Sequence, residues 1–353
     1  MSSNTVFKKS IILSIIFIAF CLMLSCFYDT QRDNPNDVTT NKIIKKFVWT
    51  RLDAAGSKAW DGIALSSNGT IMYAGIHTDT GRIWSSSNSG ASWTEQTSGY
   101  SANYWSGLTT SYDGQYVTAS TMGCCGTGVI ITSSNYGASW APHGPNISWV
   151  LLASSSDGSK QIASDNGYSA PTGQVYTSTD YGATWTAKIT TQADWKAVAS
   201  SANGVKLAAA QYNNGYIYTS SDSGSNWTQR TNAGSRTWRS LTMSADGTKI
   251  AATAYDTNVY ISTDSGNTWS TVSIPDSHYC HFVSSSADFT VIAVSDYDAS
   301  GSYVYTSQDY GQSWTQETGT GKFPWAQIAC SADGTRIVVQ SNGIGWMWTG
   351  VPE

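Results

Sequence analysis

Ser220-Ser221-Asp222-Ser223-Gly224-Ser225-Asn226-Trp227 is the clearest copy of a box, Ser-x-Asp-x-Gly-x-x-Trp, that decides the fold. The same box recurs as Ser86-Asn88-Gly90-Trp93, Ser133-Asn135-Gly137-Trp140 and Ser178-Asp180-Gly182-Trp185, and again as Ser262-Asp264-Gly266-Trp269 and Ser307-Asp309-Gly311-Trp314. The spacing between copies is about 44 residues. A fixed period of that length marks a propeller or solenoid, because one such unit cannot bury its own apolar faces. About ten residues after each box comes a second landmark. It is a Trp followed by small and aliphatic residues, then Ser-x-Asp/Asn-Gly. Copies start at Trp60, Trp105, Trp149, Trp195, Trp238 and Trp325, and a degenerate one starts at Cys280.

The second landmark thus occurs seven times and the box six. The missing box falls at the chain ends. Gly345-Trp346-Met347-Trp348-Thr349 matches Gly215-Tyr216-Ile217-Tyr218-Thr219, which precedes a box. Phe47-Val48-Trp49-Thr50 matches the strand that follows one. The N-terminal strand is therefore expected to complete the last unit, pairing with Gly345–Thr349 and leaving no free edge between first and last units. Each unit reads as four short strands, such as Trp105–Thr110, 115–120, 128–133 and 139–142. Strand A alternates with period two, as in Trp238-x-Ser240-x-Thr242. Helix signals are absent from the repeats. The expected fold is all-β: a seven-bladed β-propeller of four-stranded antiparallel blades over residues 47–353.

The six boxes resemble the Asp-box (BNR) repeat of sialidases, xyloglucan-active glycoside hydrolases, sortilin-type receptors and photosystem II assembly factors. The resemblance spans residues 47 to 349 and is specific for a propeller. Its members share a fold and not a chemistry, so it implies no single activity. In that family the boxes lie on turns between strands C and D, opposite the usual functional face. Asn88, Asn135, Asp180, Asp222, Asp264 and Asp309 are accordingly expected to be structural, capping turn amides while Gly permits positive φ. The same reading covers Asp113, Asp157, Asp246, Asp288 and Asp333 in turns between strands A and B.

Charged residues make up 12% of the chain, about half the usual share, with a net charge of −5 and no basic stripe. Nucleic acid is not an expected partner. Residues 1–25 read as a signal peptide, with Lys8 and Lys9 before an apolar run, Ile11–Leu24. That run is shorter than the roughly 20 residues a membrane-spanning helix needs. It ends in Leu22-Met23-Leu24-Ser25-Cys26, which resembles a bacterial lipobox, although Met23 stands where Leu is preferred. Cys26 is expected to carry lipid and residues 26–46 to form a flexible tether. The protein is thus expected to be an exported, membrane-anchored lipoprotein, periplasmic or on the cell surface, and monomeric. The adjacent Cys124 and Cys125 read either as a vicinal disulfide or as two free thiols. No metal ligation is expected, since the cysteines lack paired CxxC spacing, and no cofactor is implied.

A sialidase needs an arginine trio and a Tyr–Glu pair. The only glutamates are Glu95 and Glu317, both on outer strands, and Glu353. The strand-A Trp residues could ring the channel mouth and stack on sugars, but the small residues Gly62, Ala64, Ala197 and Ala199 leave gaps that a neighbouring indole would fill. Function is instead expected on loops entering strand A and linking strands B and C. Arg236, Arg239, Tyr255, Asp256, His278, Tyr279, His281, Asp296, Tyr297 and Asp298 come there from adjacent units five and six. Aromatics mixed with both charge signs suit a peptide or glycan. Unit six also departs from the repeat, with Cys280 for Trp and Phe289 for the turn Gly. The expected function is a non-catalytic protein- or glycan-binding and assembly scaffold in the envelope. The alternative is a glycoside hydrolase using two Asp residues among Asp61, Asp194, Asp256 and Asp296, which would have to stand about 5–9.5 Å apart.

Overall fold

The computed structural model describes residues 45–78, 80–101, 103–122, 128–165 and 173–353. The expectations for the signal peptide, Cys26, the tether up to residue 44, and Cys124 and Cys125 lie outside these residues. Seven antiparallel blades of four strands form the compact unit Lys46–Glu353, with no α-helix among the described residues. The innermost strands are Lys58–Leu65, Trp105–Thr110, Trp149–Ser154, Trp195–Ser200, Trp238–Met243, Cys280–Ser285 and Trp325–Cys330. Each contacts the next around the ring, and the seventh contacts the first.

The last blade is composed as the repeat count requires. Phe47–Arg51 is its outer strand and pairs antiparallel with Met347–Pro352, from Phe47 opposite Pro352 to Arg51 opposite Trp348. The pairing is shifted from the expected Gly345–Thr349: residues 348–352 face the N-terminal strand, while Gly345 pairs with Lys58 of the first blade. Trp49 lies across Gly350, where a Cβ would meet the indole at 2.9 Å, so only Gly fits beneath the ring. The Trp49 Nε1–H donates to Glu317 Oε2 at 2.9 Å, and the Thr306 hydroxyl donates to Glu317 Oε1 at 2.5 Å. This buried carboxylate on blade six therefore latches the strand that closes blade seven.

The strand-A tryptophans are core. Trp105, Trp149, Trp195, Trp238 and Trp325 are 0% exposed and Trp60 is 2% exposed. Each indole meets an aromatic of its own blade or a neighbour's, as Trp238 meets Tyr260 edge-on at 5.0 Å. All six donate Nε1–H to a backbone carbonyl: Trp105, Trp238 and Trp325 to Gly81, Gly215 and Ser302 of the previous blade, and Trp60, Trp149 and Trp195 to the residue four earlier. At roughly 25 cal/mol per Å², burying an indole contributes on the order of 4–6 kcal/mol. That burial explains the small residues of strand A and leaves no indole face free to stack on a sugar.

The simple alternation expected of strand A is interrupted. In every inner strand the ladder with strand B slips near its start. Ser106, Lys196, Arg239 and His281 are left opposite no partner as a result. A bulge of this kind bends the strand and re-aims a side chain. Here it acts just after the buried Trp, at the channel entrance.

Candidate functional site

The boxes are closed hydrogen-bond units. In the fourth blade the Ser220 hydroxyl donates to Asp222 Oδ1 at 2.8 Å and accepts from Gly224 N at 3.0 Å. Asp222 accepts from Asn226 N and Nδ2 at 2.8 and 2.7 Å, and Trp227 Nε1 donates to Gly224 O at 3.1 Å. Ser223 and Gly224 both have positive φ, 58° and 83°. Donation from Asn226 and Ser220 holds the Asp222 carboxyl down at about 2. Asn88, Asn135, Asp180, Asp264 and Asp309 accept equivalent bonds. The A–B turns repeat the device with Asp113, Asp157, Asp246, Asp288 and Asp333, each accepting a hydrogen bond from the hydroxyl of a serine two residues earlier. These side chains are all engaged in holding their own turns.

The channel entrance differs. The slot after each strand-A landmark holds, in blade order, Asp61, Ser106, Val150, Lys196, Arg239, His281 and Ala326. Three neighbouring blades thus carry Lys, Arg and His. A cavity of about 240 Å³ opens there, lined among others by Asp61, His77, Lys196, Arg239, His281 and Asn342. Arg239 NH2 donates to His281 Nε2. His281 Nδ1 in turn lies 3.3 Å from Trp325 O and donates to it. The ring is therefore neutral with its proton on Nδ1. Burial, and then the Arg239 charge, push its pKa down to about 3. Lys196 is likewise lowered, first by burial and then by Arg239, with Asp194 and Asp61 pulling the other way.

An aromatic rim surrounds these cations. Arg239 lies 5.6 Å from the Tyr212 ring and 5.7 Å from the Tyr255 ring. Tyr255 stacks on Tyr279 at 4.6 Å and 16°, and the two are 51% and 40% exposed. Tyr297 lies 5.3 Å from His281. Opposite them, Asp61 Oδ1 accepts from Gln327 Nε2 at 3.0 Å and Gly62 N at 3.1 Å, and its Oδ2 faces His77 Nδ1 at 3.3 Å.

Of the ten residues singled out from blades five and six, Arg239, Tyr255, Tyr279, His281 and Tyr297 form one continuous surface. The other five hold loops. Asp296 is 0% exposed and accepts from His278 N, Tyr279 N and the Ser277 hydroxyl. His278 stands 3.5 Å from Asp296 and 3.6 Å from Asp298, and Asp298 also takes the amide and hydroxyl of Ser300. Arg236 covers the Tyr260 ring at 4.3 Å while Tyr260 donates to Asp256 at 2.7 Å. Asp256 further caps Asn258 N. Asp256 and Asp296, two of the four hydrolase candidates, therefore have both carboxylate oxygens committed to their own loops, and Asp61 is likewise engaged through both oxygens. The departures in blade six are packing: Cys280 is fully buried in the Trp slot, with its thiol pushed up to about 12 by burial, and Phe289 is buried at φ 66°. Lys196 and Tyr212 belong to the wider set of mouth positions legible in the sequence, the slot after the strand-A landmark and the loop between strands B and C, but lie outside the ten-residue patch chosen from blades five and six; Gln327 was not among the sequence candidates.

Residues 215–343 match the Sortilin-Vps10 family model, described as sortilin, neurotensin receptor 3. No curated protein matches the chain. Among solved structures, "YCF48 bound to D1 peptide" is similar with a TM-score of 0.63 at 13% identity, covering 87% of this chain and 97% of that one. YCF48 from Cyanidioschyzon merolae gives 0.63 at 12% identity, covering 86% and 98%. The Niastella koreensis GH74 enzyme gives 0.38 at 16% identity, covering 80% and 60%, which is too distant to bear on the reading. Fold and boxes together define a repeat β-propeller. In particular, the chain is a seven-bladed propeller whose blades carry repeated Asp-box-like turns.

Proposed function

We propose that this protein is a non-catalytic scaffold that binds a peptide segment of a partner protein at the channel mouth. One observation carries the reading: an exposed aromatic rim, Tyr255 on Tyr279, stands beside the partly buried cations Arg239 and Lys196 around an open cavity. Rigid aromatics give a peptide large contact area at small entropic cost, and fixed donors set its register. The use of Asp256 and Asp296 as loop caps supports binding over hydrolysis. The similar fold of YCF48, one structure of which carries a D1 peptide, agrees with a propeller that holds peptides.

The scaffold is exported and anchored through lipid on Cys26, after removal of residues 1–25, with residues 26–46 as tether. The Lys-flanked apolar run ending in Ser25-Cys26 supports this. Site-specific photo-crosslinking in cells tests the functional reading. A photoreactive phenylalanine at Tyr255 should capture one discrete partner protein, whereas the same group at Tyr136, exposed on a box turn, should capture none. Capture from Tyr136 alone would move the site to the opposite face.

A further inference from the structure

Lys196 and Arg239 are two like charges in one partly buried entrance, and neither is neutralised where it stands. Among the described residues no carboxylate lies within ion-pair distance of either. The polar contacts of Arg239 are to neutral groups, the Tyr212 hydroxyl at 3.5 Å and His281 Nε2. His281 cannot supply a counter-charge. Its Nδ1 proton is committed to the Trp325 carbonyl and its other nitrogen to Arg239. Lys196 approaches only the Tyr212 face, 6.0 Å from the ring centroid, and its ammonium donates to no acceptor among the described residues. The two carboxylates whose charge acts on Lys196 are hydrogen-bonded elsewhere. Asp61 takes Gln327 and Gly62 N, and Asp194 takes Asn213 Nδ2 at 3.3 Å.

Taking two cations partly out of water without a partner is costly, and the repeat did not require it. Equivalent slots in other blades hold Ser106, Val150 and Ala326. The bulges on blades four and five aim both cations at the same cavity. A carboxylate has room in the cavity of about 240 Å³ that both cations line. It would accept from the guanidinium and the ammonium together, in charge-assisted bonds about twice as strong as neutral ones. Tyr212 and the Tyr255–Tyr279 pair would flank the chain that carries it.

We infer that the channel mouth is a carboxylate receptor in which Lys196 and Arg239 jointly clamp a carboxylate of the bound peptide, either its C-terminus or an Asp or Glu side chain. This rests on the peptide-binding reading above.

The test uses the full chain on arrays of randomised hexapeptides immobilised by their N-termini. One array has free C-terminal carboxylates and no Asp or Glu. A second is C-terminally amidated and contains Asp or Glu, and a third is amidated and free of acids. Binding is expected on the first or second array and not on the third. The array that binds identifies the source of the carboxylate. Lys196→Met and Arg239→Met should each weaken it tenfold or more, and Arg239→Lys should recover part of the loss. Thermal midpoints are followed alongside, and that of Lys196→Met should not fall, because a buried charge is removed. Equal binding to the acid-free array, or full affinity in a folded Lys196→Met protein, overturns the clamp and leaves the peptide reading standing. Absence of binding to all three arrays, with trigalacturonate bound in a Lys196-dependent way, overturns the peptide assignment instead.

Discussion

Trp49→Ala should unfasten the ring, and the size of its effect follows from what the indole touches. The side chain is 9% exposed, lies on Gly350 and Phe47, and gives its only polar hydrogen to Glu317. Truncating a buried Trp costs about 3–5 kcal/mol. Leaving the Glu317 carboxylate without that donor adds about 1–3 kcal/mol. The expected total is roughly 4–8 kcal/mol, read from urea unfolding. Trp49→Phe keeps most of the ring area and should cost only the lost donor, about 1–3 kcal/mol. Freed of its latch, the outer strand exposes two unpaired edges. Limited proteolysis in Trp49→Ala should therefore cut near residues 45–52 before the blades unfold. A Trp49→Ala protein within about 1 kcal/mol of wild type, and no more sensitive to protease there, would refute closure by this strand.

Acid should destabilise the fold through His281. Its pKa falls from 6.5 unfolded to about 3 folded, with Arg239, Lys196 and the Trp325 carbonyl around the ring. Stability is then complete above pH 6.5 and is lost as pH falls toward 3, by up to ~1.4 kcal/mol per pH unit. His281→Asn should flatten that part of a denaturation-versus-pH curve. Lys196→Met should melt at or above the wild-type temperature near neutral pH, because burial lowers the folded pKa and penalises the charged form until pH rises past it. Asp222→Ala should lower the melting temperature through loss of its box bonds yet leave partner binding intact. Cys26→Ser should release the protein from membranes, checked by fractionation and by mass spectrometry of the wild-type N-terminus.

The architecture was legible because it is written seven times. Box, turn serine and strand-A Trp are local hydrogen-bond and packing devices, and each repeats with its spacing. Even the missing seventh box could be placed, since Trp49 and Trp346–Trp348 fill vacant positions of the same register. The site was legible only in part. Arg239, Tyr255 and Tyr279 stood out as aromatic and charged loop residues, and they do converge. Asp296 and Asp256 stood out for the same reason but are spent on backbone amides and Tyr260, a choice between ligand and loop that composition cannot express. Lys196 was legible as a mouth position but not as a partner of Arg239, because it sits on blade four and its aim depends on a bulge that alternation does not reveal. Blade six broke the pattern for packing, as buried Cys280 and Phe289 make plain.

The central claim is that the mouth binds and the box face supports. Binding of the full chain to the free-carboxylate and acidic hexapeptide arrays, compared between the Arg239→Ala/Tyr255→Ala/Tyr297→Ala protein and Asp222→Ala, tests it most directly. The triple variant should lose binding while remaining folded, and Asp222→Ala should keep it. Retained binding in the folded triple variant, with loss in Asp222→Ala, would contradict the account.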